Sequence, residues 1–227
     1  MISTNRTRAF ALLVGLVLAV PAWCGAEPQG VAPATPATEP KADDWRPMFD
    51  GKALGDWKQS GYGGAGDTEV VEGAIRIPMG VDLSGITWGG EFPTEGYEIE
   101  LEARRVEGND FFCGLTFPVG DDPCSFIVGG WGGAIVGLSS IDGDDAANNE
   151  TTLVRAFKTG QWYAVKVRVL PDEIAGYLNG KEMFSFDPRG KKLSMRRGEI
   201  ELCMPVGIAT FRTESVVRSV RVRRVAK

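Results

Sequence analysis

The chain reads as an all-β domain, a β-sandwich or jelly roll of antiparallel strands. Three observations predict it: apolar residues recur with period two, turn residues separate the runs at short intervals, and no segment carries a long amphipathic helical period. Tyr97, Ile99, Leu101 and Ala103 face one way, while Glu98, Glu100, Glu102 and Arg104 face the other. Tyr163, Val165, Val167 and Val169 repeat the pattern against Lys166 and Arg168. A strand with one face in a core and one in water alternates in this way.

Taken in order, strands are expected at Val70–Ile77, Tyr97–Arg104, Phe111–Phe117, Ser125–Val128, Ala134–Leu138 and Tyr163–Val169. Ile174–Leu178 and Met183–Phe186 flank Asn179-Gly180, the preferred two-residue hairpin turn with positive φ at both positions. Glu199–Met204, Gly207–Arg212 and Val216–Val225 complete the set. Three parts are expected along the chain: 1–26, 27–44 and 45–227. Arg6 and Arg8, the apolar run Ala9–Val20 and the small-residue site Cys24-Gly25-Ala26 predict a secretory signal cut after Ala26. The protein is therefore expected to be extracytoplasmic, either periplasmic or secreted. Trp23, where a small residue is expected, speaks against a lipid anchor on Cys24. Pro28, Pro33, Pro36 and Pro40 mark 27–44 as an extended Pro/Ala-rich linker. The folded domain begins near Trp45.

Charge and composition then exclude several functions. Without residues 1–26 the chain keeps 23 basic and 30 acidic residues, which argues against nucleic acid as a partner. Arg218, Arg221, Arg223 and Arg224 read as the solvated face of a terminal strand. No later apolar run is long enough for a membrane span, and a monomer is the working expectation. The chain has no histidine, so Ser-His-Asp triads, Cys-His pairs and His-ligated metals are excluded. Catalysis is left to carboxylates, Lys, Arg, Tyr or a cation held by oxygen. Cys113 and Cys124 lie symmetrically about Pro118-Val119-Gly120; a hairpin turning there would set them opposite each other, and buried free thiols are the alternative.

The chemistry concentrates in Gly129–Glu150, GGWGGAIVGLSSIDGDDAANNE. Four glycines around Trp131 allow close approach to the backbone. An indole bordered by glycines can stack on a sugar ring, for Trp131 and for Trp88, or it can pack between sheets. Trp45, Trp57 and Trp162 read as packing residues. Asp142, Asp144, Asp145 and Glu150 offer a proton acceptor and a proton donor, and Asn148 and Asn149 offer hydrogen bonds to sugar hydroxyls. The bland reading of this run is an exposed loop whose Asp and Asn form turns. Arg155 follows as a stabiliser of developing negative charge or as a surface ion-pair partner. Asp110 is an outlying ligand candidate. Asp142-x-Asp144 begins like a calcium loop, but Ala147 stands at its glycine position and Leu153 at its final Glu. Calcium from scattered ligands stays a candidate cofactor, and none is required.

Phe49-Asp50-Gly51-Lys52 with Leu54 and Trp57 gives an opening FDGKxLxxW. Glu72-Gly73, Tyr97-Glu98-Ile99-Glu100-Leu101, Trp162-Tyr163, Leu178-Asn179-Gly180 and the closing Val217–Val222 follow in order. Over 45–225 this series resembles the 3-keto-disaccharide hydrolase domain family. The resemblance implies a concanavalin A-like jelly roll whose hollow face accepts carbohydrate. It also implies cleavage of glycosides carrying a ketone at C3. Such a ketone acidifies the C2 proton, so a base can remove it and the C1 substituent can leave; water addition completes a net hydrolysis. The chain departs from the family at Asn109-Asp110-Phe111-Phe112 and Cys124-Ser125-Phe126-Ile127, where a strand Glu is expected. A lectin-like binding module and an envelope interaction domain are the rival expectations.

Overall fold

A computed structural model describes residues 44–225, so the expected signal segment and nearly all of the linker lie outside the described residues. Two antiparallel sheets face each other. One runs in the order β13 (Lys181–Phe186), β12 (Glu173–Leu178), β11 (Tyr163–Leu170), β6 (Tyr97–Gly108), β15 (Thr213–Arg224), β4 (Ala74–Ile77) and β3 (Glu69–Val71), with β1 (Arg46–Pro47) beside β15. The other runs β10 (Leu153–Val154), β9 (Ile135–Ser139), β8 (Asp122–Gly130), β7 (Cys113–Val119), β14 (Gly207–Phe211), β5 (Leu83–Trp88) and β2 (Trp57–Gln59).

The alternation read from β6 and β11 is the register of the core. Ile99 pairs with Val167 and Leu101 with Val165, all fully buried, while Glu98 and Glu100 pair with Arg168 and Lys166 on the outer side. In the second sheet a single row, Ile86–Ile208–Leu115–Phe126–Leu138, crosses five strands and meets that core. Asn179 and Gly180 take φ of 51° and 75°, as a two-residue hairpin turn demands.

Four expectations change. Glu199–Met204 is a 3-10 helix over Glu199–Cys203, because Gly198 enters it at φ 131° and Pro205, lacking an N–H, cannot continue a ladder. The hairpin joining β7 and β8 turns at Gly120-Asp121, so Cys113 pairs with Val128 and Cys124 with Phe117. The two thiols therefore do not meet; both are free and buried, and burial pushes each up to about 12. Trp45 and Trp162 lie on the outer face of the first sheet beneath arginines, whereas Trp57 is buried. Finally, β5 and the short β1, β2 and β10 had no alternating run long enough to announce them. Among the described residues no helix is long and apolar enough to cross a membrane.

Candidate functional site

The outer face of the second sheet is unusually bare. Gly85, Ala209, Gly114, Ile127 and Gly137 form one cross-strand row, and Thr87, Gly207, Thr116, Ser125 and Ser139 form the next polar row. The glycines are needed because other parts of the chain lie directly on them. A Cβ at Gly207 would stand 2.6 Å from the Cys203 carbonyl oxygen, and one at Gly137 3.0 Å from that of Ala146. Tyr62, Phe111, Ala146, Met195 and Cys203 build a second apolar cluster on this face. Burial raises the pKa of both the Tyr62 phenol and the Cys203 thiol that accepts its hydrogen bond.

Two segments make the cover, the loop 140–152 and the strip 191–206. They are stitched together by Ser194 N–H to Ser140 O (3.1 Å), Asp142 N–H to Lys192 O (2.8 Å) and Lys192 N–H to Asp142 Oδ1 (2.9 Å). Lys191 Nζ pairs with Asp142 Oδ2 at 3.1 Å and with Glu150 Oε1 at 3.2 Å. Arg196 pairs with Asp145 Oδ2 at 3.1 Å. The Lys192 N–H, and then Lys191, hold the Asp142 carboxyl below its usual range. Its own backbone N–H, with Lys191, does the same for Glu150.

Beside this cover a pocket of about 430 Å3 remains open. It is lined by Trp131 and Asp110, by Arg196, Arg197 and Glu199 of the strip, and by Phe111, Ile127 and Ser139. Trp131 tops the tight connection between β8 and β9, where Gly129, Trp131, Gly132 and Gly133 have φ of 79°, 47°, 82° and 101°. Glycine tolerates that left-handed run, and the indole is left 39 % exposed at the rim. Asp110 holds the turn through Gly132 N–H to Oδ2 (2.9 Å), while its Oδ1 accepts Phe111 N–H at 2.8 Å. Beneath them the buried Arg105 donates from Nη2 to the carbonyls of Asp110, Gly129 and Gly133.

The residues singled out in the sequence thus divide. Trp131 and Asp110 reach the pocket. Asp142, Asp144 and Glu150 are exposed on the outside of the cover, two of them spent on Lys191. Asn148 is exposed. Asn149 is a scaffold: its Nδ2 donates to the carbonyls of Leu138, Asp144 and Asp145, and its Oδ1 accepts from Thr151. Trp88 faces the core, 6 % exposed, with its ring centroid 5.1 Å from that of Trp57. Its strand partner is Trp57, which sets both indoles on the inner side of their sheet. Arg155 lies away from the pocket, its Nη1 on Met183 Sδ at 3.6 Å and its guanidinium near Phe157. Among the described residues no three His, Cys, Asp or Glu side chains converge as a metal site.

Glu199 was missed because it opened a segment read as a strand, and Arg196 and Arg197 because they fell between expected strands, some fifty residues from the acidic loop. The available signal was Arg196-Arg197-Gly198, a doubled cation before a glycine where no alternation continues.

A family model described as a 3-keto-alpha-glucoside-1,2-lyase-like domain matches residues 44–222. The chain belongs to this family. The 3-keto-alpha-glucoside-1,2-lyase-like match spans both sheets and the whole cover, and it places the protein among carbohydrate-active domains. No curated protein matches the sequence. Among solved structures, a protein of unknown function with a galectin-like fold from Bacillus subtilis is 11% identical with a TM-score of 0.56, covering 81% of this chain and 96% of its own. A candidate glycosyl hydrolase from Parabacteroides distasonis ATCC 8503 is 15% identical with a TM-score of 0.53, covering 80% of this chain and 94% of its own. At these identities the likeness is one of fold.

Proposed function

We propose that this protein is exported and cleaves 3-keto-glycosides by elimination in the pocket beside Trp131. The observation that carries the reading is Glu199. Asp110 spends both carboxylate oxygens on backbone N–H groups and Asp145 is paired with Arg196, whereas Glu199 has no hydrogen bond or ion pair among the described residues. Its oxygens are free to accept a proton. Asp142 and Glu150, on the outside of the cover, are less suited, being bound to Lys191.

In this mechanism the sugar ring stacks on Trp131. Glu199 takes the C2 proton, and the electron pair of the C–H bond spreads onto the C3 oxygen as an enediolate beside Arg197. The pair then forms the C1–C2 double bond as the C1–O bond breaks, and the protonated Glu199 returns its proton to the leaving oxygen. Addition of water to the enone gives net hydrolysis. The chain has no histidine, and none of these steps needs one.

The test is incubation of the purified protein with a 3-keto-α-glucoside and with its unoxidised parent. Release of the C1 substituent from the keto sugar alone, with kcat lost about 10²- to 10⁴-fold in Glu199→Gln, is expected. Trp131→Ala should chiefly raise KM. Saturable binding of both sugars without release would instead make the protein a lectin-like module. Export is tested separately, by finding the chain processed after Ala26 in the extracytoplasmic fraction.

A further inference from the structure

The opposite side of the molecule carries a second recessed site. On the outer face of the first sheet, cations and carboxylates of β6, β11, β12 and β15 are matched one to another. Arg218 pairs with Glu102 at 2.9 Å, Arg221 with Glu100 at 3.3 Å and Arg223 with Glu98 at 2.6 Å. Lys166 pairs with Glu98 at 3.3 Å and Arg168 with Glu173 at 2.8 Å. Arg104 breaks the pattern. Its cross-strand neighbour on β15 is Val216, and among the described residues its guanidinium has neither a carboxylate nor a hydrogen-bond acceptor.

Arg104 instead lies over the Trp162 ring, with Cζ 4.8 Å from the centroid, and Arg218 approaches the same ring at 4.1 Å. Stacking leaves the N–H groups of a guanidinium pointing out from its edge. Arg104 lines a pocket of about 340 Å3, walled also by Arg76, Val71 and Val106. Of the acids on the wall, Glu214 is already neutralised by Arg76 at 2.9 Å, and Glu72 sits exposed on the turn between β3 and β4. The pocket therefore pairs an unspent guanidinium, stacked on Trp162, with the apolar side chains of Val71 and Val106 in a volume sized for one sugar ring.

We propose that this pocket binds a small carboxylate-bearing sugar of the uronic acid class, with the carboxylate on Arg104 and the ring against Val106 and Trp162. The planar fork of a guanidinium matches two carboxylate oxygens. The site is separate from the pocket at Trp131 and does not depend on its chemistry.

Calorimetric titration of the whole protein with glucuronate tests this, with glucose and sulfate as comparison ligands. Saturable binding of glucuronate with none for glucose is expected, weakened at least about tenfold in Arg104→Gln. Because Arg104 also stacks on Trp162, Val106→Trp is the second variant: it blocks the pocket without touching its charges and should abolish binding. Both variants should leave turnover of the neutral keto sugar unchanged. Absence of glucuronate binding, binding indifferent to both substitutions, or sulfate binding as tight as glucuronate would each overturn the assignment.

Discussion

Arg105 is the residue on which the Trp131 pocket depends most, although it never touches the open space. It is 6 % exposed, and its one Nη2 gathers three carbonyls from two loops that Asp110 also ties together. Burial draws its pKa down, opposed by the nearby Asp110 charge. Arg105→Met should remove the donor and strand those carbonyls, each costing about 1–3 kcal/mol when buried unpaired. A loss of about 3 kcal/mol in urea unfolding is expected, together with freer motion of Trp131 seen by fluorescence anisotropy. A loss below about 0.5 kcal/mol would mean that water replaces the guanidinium. The alternation through Leu101 and Ala103 already set position 105 on the inward side of its strand, so a buried arginine was legible. Its partners, 24 and 28 residues away in a glycine-rich turn, were not.

At the scale of elements, the acidic run 142–150 turns out to be a clasp. Its side chains fasten the strip 191–206, and that strip brings Arg196, Arg197 and Glu199 to the pocket. Local sequence could not reveal this, since a solvated loop and a clasp share one composition and differ only in a distant partner, Lys191. Lys191→Ala should cost less than about 1 kcal/mol, as exposed ion pairs do. It should nonetheless speed amide exchange at Lys192, whose N–H bonds to Asp142 of the clasp, and at Ser194, whose N–H bonds to Ser140 beside it. Gly207→Ala should be costlier, about 1–3 kcal/mol, because backbone oxygens of Cys203 and Ile86 stand 2.6 Å and 2.8 Å from the new Cβ. Gly61→Ala, with nothing within 4 Å, is the control and should be neutral in thermal unfolding. The strands themselves were readable wherever they were long and half-buried. The glycine row was visible only as scattered single residues, because its meaning lies in the register between strands.

For the molecule as a whole, the missing histidine fixes where pH can act. The carboxyl of Glu102 is lowered by its hydrogen bond to Arg218, that of Asp50 by the N–H groups of Lys52 and Ala53, and those of Asp142 and Glu150 by the clasp. A group whose pKa is depressed on folding binds fewer protons folded than unfolded. Its stabilisation is complete above the unfolded value and disappears as pH falls through the folded one. Lys191 has the opposite sign, raised first by Asp142 and then by Glu150, so its contribution is present at neutral pH and is lost only in strong alkali. No side chain has its ordinary pKa between about pH 5 and 8. The melting temperature should therefore be flat across that interval and decline only below about pH 4.5, as carboxylates protonate. Differential scanning calorimetry at constant ionic strength checks this, and a Tm step near neutrality would contradict it.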